Sequence, residues 1–126
     1  MGDAQPGTAV TGLLSAAEVL QPASDAVNIT DVVHPLVLYA VQLGYLHHLL
    51  FGFPLVVTSG KDGQHVAGSL HDVGRAVDFR VRDLKPEDQL TFLINVVAAA
   101  PERHCWVFDE RAGPDGPHIH VEYHGP

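Results

Sequence analysis

Two short segments, far apart in the chain, alternate strictly between apolar and polar residues, and this limits the fold more than any other feature. In residues 76–82 (AVDFRVR), Val77, Phe79 and Val81 fall on one side, and Ala76, Asp78, Arg80 and Arg82 on the other. In residues 118–123 (HIHVEY), Ile119, Val121 and Tyr123 oppose His118, His120 and Glu122, with His124 next in line. A period of two marks a strand, because successive side chains of extended backbone point to opposite faces. Each strand thus offers one apolar face to a core and keeps one polar face outside it. A sheet built this way needs helices to cover its apolar side.

The rest of the chain supplies them. Residues 12–20 (GLLSAAEVL) read as a short helix ended by Gln21-Pro22. Residues 31–51 read as a longer helix, with Pro35 in the first turn and Gly52 just past the end. Leu36, Val37, Tyr39, Leu43, Leu46 and Leu50 lie nearly all round it, so it is expected to be central and largely buried. Residues 54–58 (PLVVT) form a β-branched strand entering a Ser59-Gly60 turn, and residues 61–74 read as loop. A further helix starts at Pro86, with Glu87 and Asp88 where the helix dipole favours acids. Leu90, Leu93, Ile94 and Val97 keep its helical spacing and Pro101 stops it; residues 105–108 (CWVF) make another strand. The expected fold is α+β, a small antiparallel sheet packed against helices. The 126 residues form one domain, with 1–11 a loose lead-in.

Composition removes several classes of function. Fifteen acidic residues against seven basic ones give a formal charge of −8, a poor match to nucleic acid, which calls for clustered Lys and Arg. One cysteine, Cys105, permits neither an internal disulfide nor a cysteine-rich metal cluster, and it is expected as a small buried residue. No basic residue precedes Lys61 and residues 1–30 hold no continuous apolar stretch, so neither a signal peptide nor membrane insertion is expected. The chain is expected to be cytoplasmic at synthesis and monomeric.

The chemistry lies on the polar faces. If the strands at 76–82 and 118–123 are neighbours, the Asp78 carboxylate meets an imidazole, and His71 in the preceding loop adds a second. Two imidazoles and one carboxylate are a common ligand set for a catalytic zinc, with a fourth position left for water. Such a water needs a nearby carboxylate to take its proton. Asp115, three residues before His118, suits that role, and Glu110 is the alternative. Glu122 is a poor ligand, since His-x-His-x-Glu along one strand closes a tetrahedron badly. A mononuclear iron site is disfavoured because seven positions separate His71 from Asp78. His34, His47, His48, His104 and His124 read as surface or packing residues.

The ordered set Ser69-Leu70-His71, Gly74-Arg75-Ala76-Val77-Asp78 and His118-Ile119-His120-Val121-Glu122-Tyr123 resembles the zinc D-alanyl-D-alanine carboxypeptidases and related phage endolysins. Thr58-Ser59-Gly60 resembles the end of the strand that precedes this motif, and the likeness spans residues 54–124. It implies a hedgehog-type zinc fold and hydrolysis of a peptide bond in peptidoglycan stem peptides. It places the zinc ligands on His71, Asp78 and His120, the general base on Asp115, and a residue steadying substrate or oxyanion on His118. His65 resembles a histidine beside the metal in the related hedgehog domains, and Ser69 a residue that hydrogen-bonds near the site. The family's arginine after the Ser-Gly turn is replaced by Lys61-Asp62, which leaves Arg75 or Lys61 to hold a substrate carboxylate. The loop 111–114 can shift the base, which keeps Glu110 in view. The setting implied is a phage lysis or tail enzyme or a recycling peptidase; the alternative is a zinc-containing binding or phage structural module of the same fold.

Overall fold

The computed structural model describes residues 14–62 and 68–126. The chain runs α1 (Ala16–Val19), β1 (Leu20–Pro22), α2 (His34–Phe51), β2 (Leu55–Ser59), a 3-10 turn (Leu70–Val73), β3 (Ala76–Arg80), α3 (Pro86–Ala99), a second 3-10 turn (Pro101–Arg103), β4 (Cys105–Glu110) and β5 (His118–Tyr123). The five strands form one sheet in the order β1-β2-β3-β5-β4. The architecture is α+β, with a sheet that is antiparallel except at one edge.

That edge differs from the sequence expectation. Residues 20–22 leave the first helix and pair in parallel with β2, Leu20 opposite Leu55 and Pro22 opposite Val57. Parallel pairing of consecutive strands requires a crossover, and α2 provides it. Proline is tolerated here because an edge strand has one unpaired side.

The alternating segments form the middle of the sheet. β3 and β5 pair antiparallel with Val77 opposite Val121, Asp78 opposite His120 and Phe79 opposite Ile119. The inward set Val77, Phe79, Val81, Ile119, Val121 and Tyr123 is buried, together with Leu36, Tyr39 and Leu43 of α2 and Phe92 and Val96 of α3. Ala76 is buried as well, although it lies in the polar set of its strand. Tyr39 brings a polar atom into this core and satisfies it by donating its hydroxyl to the Val96 carbonyl at 2.6 Å. His47 does likewise, its Nδ1–H donating to the Phe53 carbonyl at 2.9 Å while Phe51, Phe53 and Phe92 meet the ring edge-on. Burial holds its pKa below the ordinary value, so the ring packs as a neutral aromatic.

Both long helices bury less of their apolar surface than the sequence suggested. On α2, Leu38, Tyr45, Leu49 and Leu50 face solvent, so only one stripe is buried. On α3, Leu90, Ile94 and Val97 are exposed, and Phe92 and Val96 occupy the core. Two apolar stripes interleave in that helix. The one carrying the aromatic ring, which removes more area from water, faces the sheet. Cys105 is buried and unpaired, its thiol pushed up to about 11 by burial. Among the described residues no helix is long and apolar enough to cross a membrane.

Candidate metal centre

The uncovered face of β3 and β5 carries the site. The β3–β5 register sets Asp78 directly against His120, with Oδ1 and Nδ1 2.7 Å apart. Between Val57 and Ser59, β2 loses register with β3, a bulge that brings Ser59 opposite Asp78 and turns the chain at Gly60.

His71 reaches the same point from the 3-10 turn. Ser69 caps this turn, its Oγ accepting the His71 backbone N–H at 3.2 Å. Gly74 ends it at φ 72°, where a side chain is strained. A Cβ there would also lie 2.3 Å from the Asp31 carbonyl oxygen, and one at Gly60 would lie 2.1 Å from that of Asn28. The chain at 28–33 is thus seated on both glycines. It is fastened by Val33 N–H to the Gly74 carbonyl at 2.8 Å and by Asp62 Oδ1, which accepts from Gly60 N–H (2.7 Å) and Asn28 N–H (2.8 Å).

This framework fixes the imidazoles. His71 Nδ1–H donates to the Gly60 carbonyl at 2.8 Å, which leaves Nε2 facing Asp78 Oδ2 at 3.3 Å. His120 Nε2–H donates to Glu122 Oε2 at 2.8 Å, which leaves Nδ1 facing Asp78 Oδ1. Each ring therefore spends one nitrogen on an oxygen acceptor and presents the other inward, the arrangement that orients metal-ligating histidines. One ligand atom each from His71, Asp78 and His120 lie within 4.8 Å of one another, and the group could hold a metal ion. The donors, two nitrogens and one oxygen, suit zinc. His71 is buried, whereas the Asp78 and His120 side chains keep 16% and 14% of their surface, which leaves the cluster open on its outer side.

The electrostatics follow from crowding. Burial opposes charge on Asp78, but hydrogen bonds from His120 and His71 outweigh it and hold the carboxyl well below its usual range. Burial likewise opposes charge on His120, and its bonds to Asp78 and Glu122 outweigh it, raising the pKa to about 9. The His71 pKa is raised in the same way by Asp78, against burial.

His118 stands two residues from His120 on the same face. Its Nδ1 donates to the Gly116 carbonyl at 2.9 Å and its Nε2 lies 2.6 Å from Glu110 Oε1 on β4. Its pKa is raised by these partners and by Asp78, against burial. Asp115 lies at the side of a cleft of about 250 Å³, whose lining includes Thr58, Asp78, Arg80, Arg82 and His118. Its carboxylate makes no hydrogen bond or ion pair among the described residues. The two base candidates thus separate: Glu110 is engaged with His118, and Asp115 borders the cleft. Arg75 stands elsewhere, its Nη1 donating to the Gly125 carbonyl at 2.9 Å and its guanidinium lying over the Tyr123 ring. Lys61 is exposed, and its backbone N–H donates to the Asn28 carbonyl. His65 lies outside the described residues.

Some contributors escaped sequence reasoning. Glu122, a poor ligand by its place on the strand, grips His120 with one oxygen and His124 with the other, at 2.9 Å. The alternation of β5 already set these three side chains on one face. The His124 ring stacks on Trp106 with centroids 3.8 Å apart, extending the row to the open edge of the sheet. The Gly60 carbonyl left no signal, since a backbone acceptor has no residue type. Comparison with protein-family models, with curated proteins and with solved structures finds no match to this chain.

Proposed function

We propose that the chain is a zinc peptidase that hydrolyses a peptide bond in peptidoglycan stem peptides. The observation that carries this reading is the convergence of His71 Nε2, His120 Nδ1 and an Asp78 oxygen on one point that stays open outward. A structural site closes all its positions with protein ligands, whereas a catalytic one keeps a position for water or substrate. The resemblance of the Ser69-x-His71, Gly74-x-Ala76-x-Asp78 and His118-x-His120 pattern to the D-alanyl-D-alanine carboxypeptidases supplies the substrate class.

Zinc in this site supplies Lewis acidity toward a peptide carbonyl and lowers the pKa of water toward neutrality. The side chains of this chain supply the rest. His71, Asp78 and His120 hold the ion, and Glu122 and the Gly60 carbonyl keep the two rings in the required orientation. Asp115, bordering the cleft with no hydrogen-bond or ion-pair partner among the described residues, accepts the proton of the attacking water and passes it to the leaving amine as the C–N bond breaks. His118, whose pKa is raised by Gly116, Asp78 and Glu110 against burial, lends positive charge beside the carbonyl oxygen on which negative charge develops.

The test is a digest of purified muropeptides by zinc-loaded protein and by its His120→Ala variant, read by mass spectrometry. A mass loss seen only with the intact protein is expected, and the mass itself identifies the bond. Intact stem peptides after incubation with protein carrying one zinc would replace this reading with a zinc-containing binding or phage structural module.

A further inference from the structure

The two edges of the sheet are made differently. β1 is three residues long and closes with Pro22, which has no N–H to offer a further strand. β4, at the other edge, runs CWVFDE with no proline, no lysine and an unbroken register against β5, so it lacks the usual guards against further pairing.

The ladder fixes where the backbone groups of β4 point. Tyr123 N–H donates to the Arg75 carbonyl and His124 N–H to the His104 carbonyl, both at 2.8 Å. In an antiparallel ladder, successive residues bond to alternate sides. Ile119, Val121 and Tyr123 therefore bond toward β3, while His118, His120 and Glu122 bond toward Glu110, Phe108 and Trp106 of β4. The backbone groups of Cys105, Val107 and Asp109 are left facing outward. Cys105 N–H is taken by the Ala100 carbonyl at 3.0 Å. Val107 and Asp109 keep both N–H and C=O without a backbone partner among the described residues.

This edge is complementary to itself. Its open groups stand one residue to either side of Phe108. A second copy brought up antiparallel about a two-fold axis at Phe108 sets Val107 against that copy's Asp109 and Asp109 against its Val107, so each open N–H meets an open C=O. Phe108, 41% exposed, then meets its own counterpart, and Trp106, 58% exposed, lies across from Glu110. Charge selects the direction. In a chain of net charge −8, parallel strands in register would set Asp109 and Glu110 of one copy beside those of the other. The antiparallel arrangement places these acids opposite Val107 and Trp106 instead.

We propose that β4 is a dimerisation edge, through which two copies of this chain pair by Val107 and Asp109 into one continuous sheet. The interface is isologous, and the dimer replaces the monomer expected from the sequence. Its axis stands perpendicular to the sheet, so both His71-Asp78-His120 groups face the same side, with the two β5 strands about 14 Å apart. The proposal stands apart from the peptidase reading and holds or fails without it.

The experiment uses the full chain, its mass followed by sedimentation over a wide concentration range and its amide exchange by NMR. The mass is expected to rise with concentration from 13.5 kDa toward twice that value. The Val107 and Asp109 amides should exchange fast in dilute solution and slowly in the dimer. Those of Trp106 and Phe108, bonded to β5, should be slow in both. Asp109→Pro removes an N–H that the single chain does not use, and should weaken association about thirtyfold by deleting two symmetry-related hydrogen bonds. Asp109→Ala loses the same contact with Arg111 but keeps the N–H, and should still dimerise. A single-chain mass at every concentration, a dimer indifferent to Asp109→Pro, or fast exchange of Val107 and Asp109 within the dimer overturns the proposal. If Asp109→Pro fails to fold, exchange in the parent chain decides by itself.

Discussion

At the scale of single residues, the His71-Asp78-His120 group would set protons against any metal it holds. His120 faces Asp78 through the nitrogen that a metal would take, and its pKa is raised to about 9 by Asp78 and Glu122 against burial. A metal must displace that proton, so apparent zinc affinity is expected to climb as pH rises from about 6.5 toward 9 and to level off above. The metal-free chain should behave in the opposite sense. The raised pKa contributes stability that is fully present below about 6.5 and is lost as pH rises through about 9. Glu122→Gln lowers the charge that holds the proton, moves the transition to lower pH, and weakens zinc by about tenfold through looser ring orientation. Competition titrations with a chelator, together with melts of the metal-free chain across this range, check both signs. A flat zinc affinity between pH 6.5 and 9 would contradict the coupling.

At the scale of elements, two glycines decide whether His71 arrives at all. Gly60→Ala would put a methyl group 2.1 Å from the Asn28 carbonyl oxygen, and neither backbone has a flexible end to give way. A cost of about 2 kcal/mol or more is expected. Because the Gly60 carbonyl holds His71 Nδ1, zinc affinity should fall along with the melting temperature. A variant that melts lower but binds zinc as before would separate the glycine from the site. This element also shows what the sequence can and cannot reveal. The strands at 76–80 and 118–123 were legible because alternation is a local signal, and their polar faces brought Asp78, His118, His120 and Glu122 to one surface. Gly60 was legible only as part of a turn and Gly74 only as part of a loop. That the chain at 28–33 lies against both depends on contacts between segments some thirty to forty residues apart, which no local pattern encodes. The strand at Leu20–Pro22 was missed for the same reason: three residues ending in proline become a strand only because β2 lies alongside.

At the scale of the whole molecule, the sheet divides labour between its faces. Phe92 fills the helical side, in contact with His47 and the buried residues of β3 and β5, while its neighbour Ile94 faces water. Phe92→Ala should cost about 3–5 kcal/mol in denaturant unfolding. Ile94→Ser should stay within about 0.5 kcal/mol. Zinc affinity should be near the parent value in both, since His71, Asp78 and His120 lie on the opposite side of the sheet. Equal losses for the two variants would return the buried face of α3 to the one suggested by the spacing of Leu90, Ile94 and Val97.

The same division has a consequence for how such a chain can change length over generations. In β3 and β5 the residues that hold the core and those that hold the site take alternate places along one backbone. Inserting or deleting a single codon at the start of His118–Tyr123 would exchange the two sets of that strand, turning Ile119 and Val121 toward water and His120 toward the helices. One at the start of Ala76–Arg80 would do the same to Phe79 and Asp78. Fold and chemistry would be lost in one event, with no intermediate that keeps either. The segment 111–114 carries no such double duty, so descendants can lengthen or shorten it and reshape the mouth of the cleft while the two ladders stay in step.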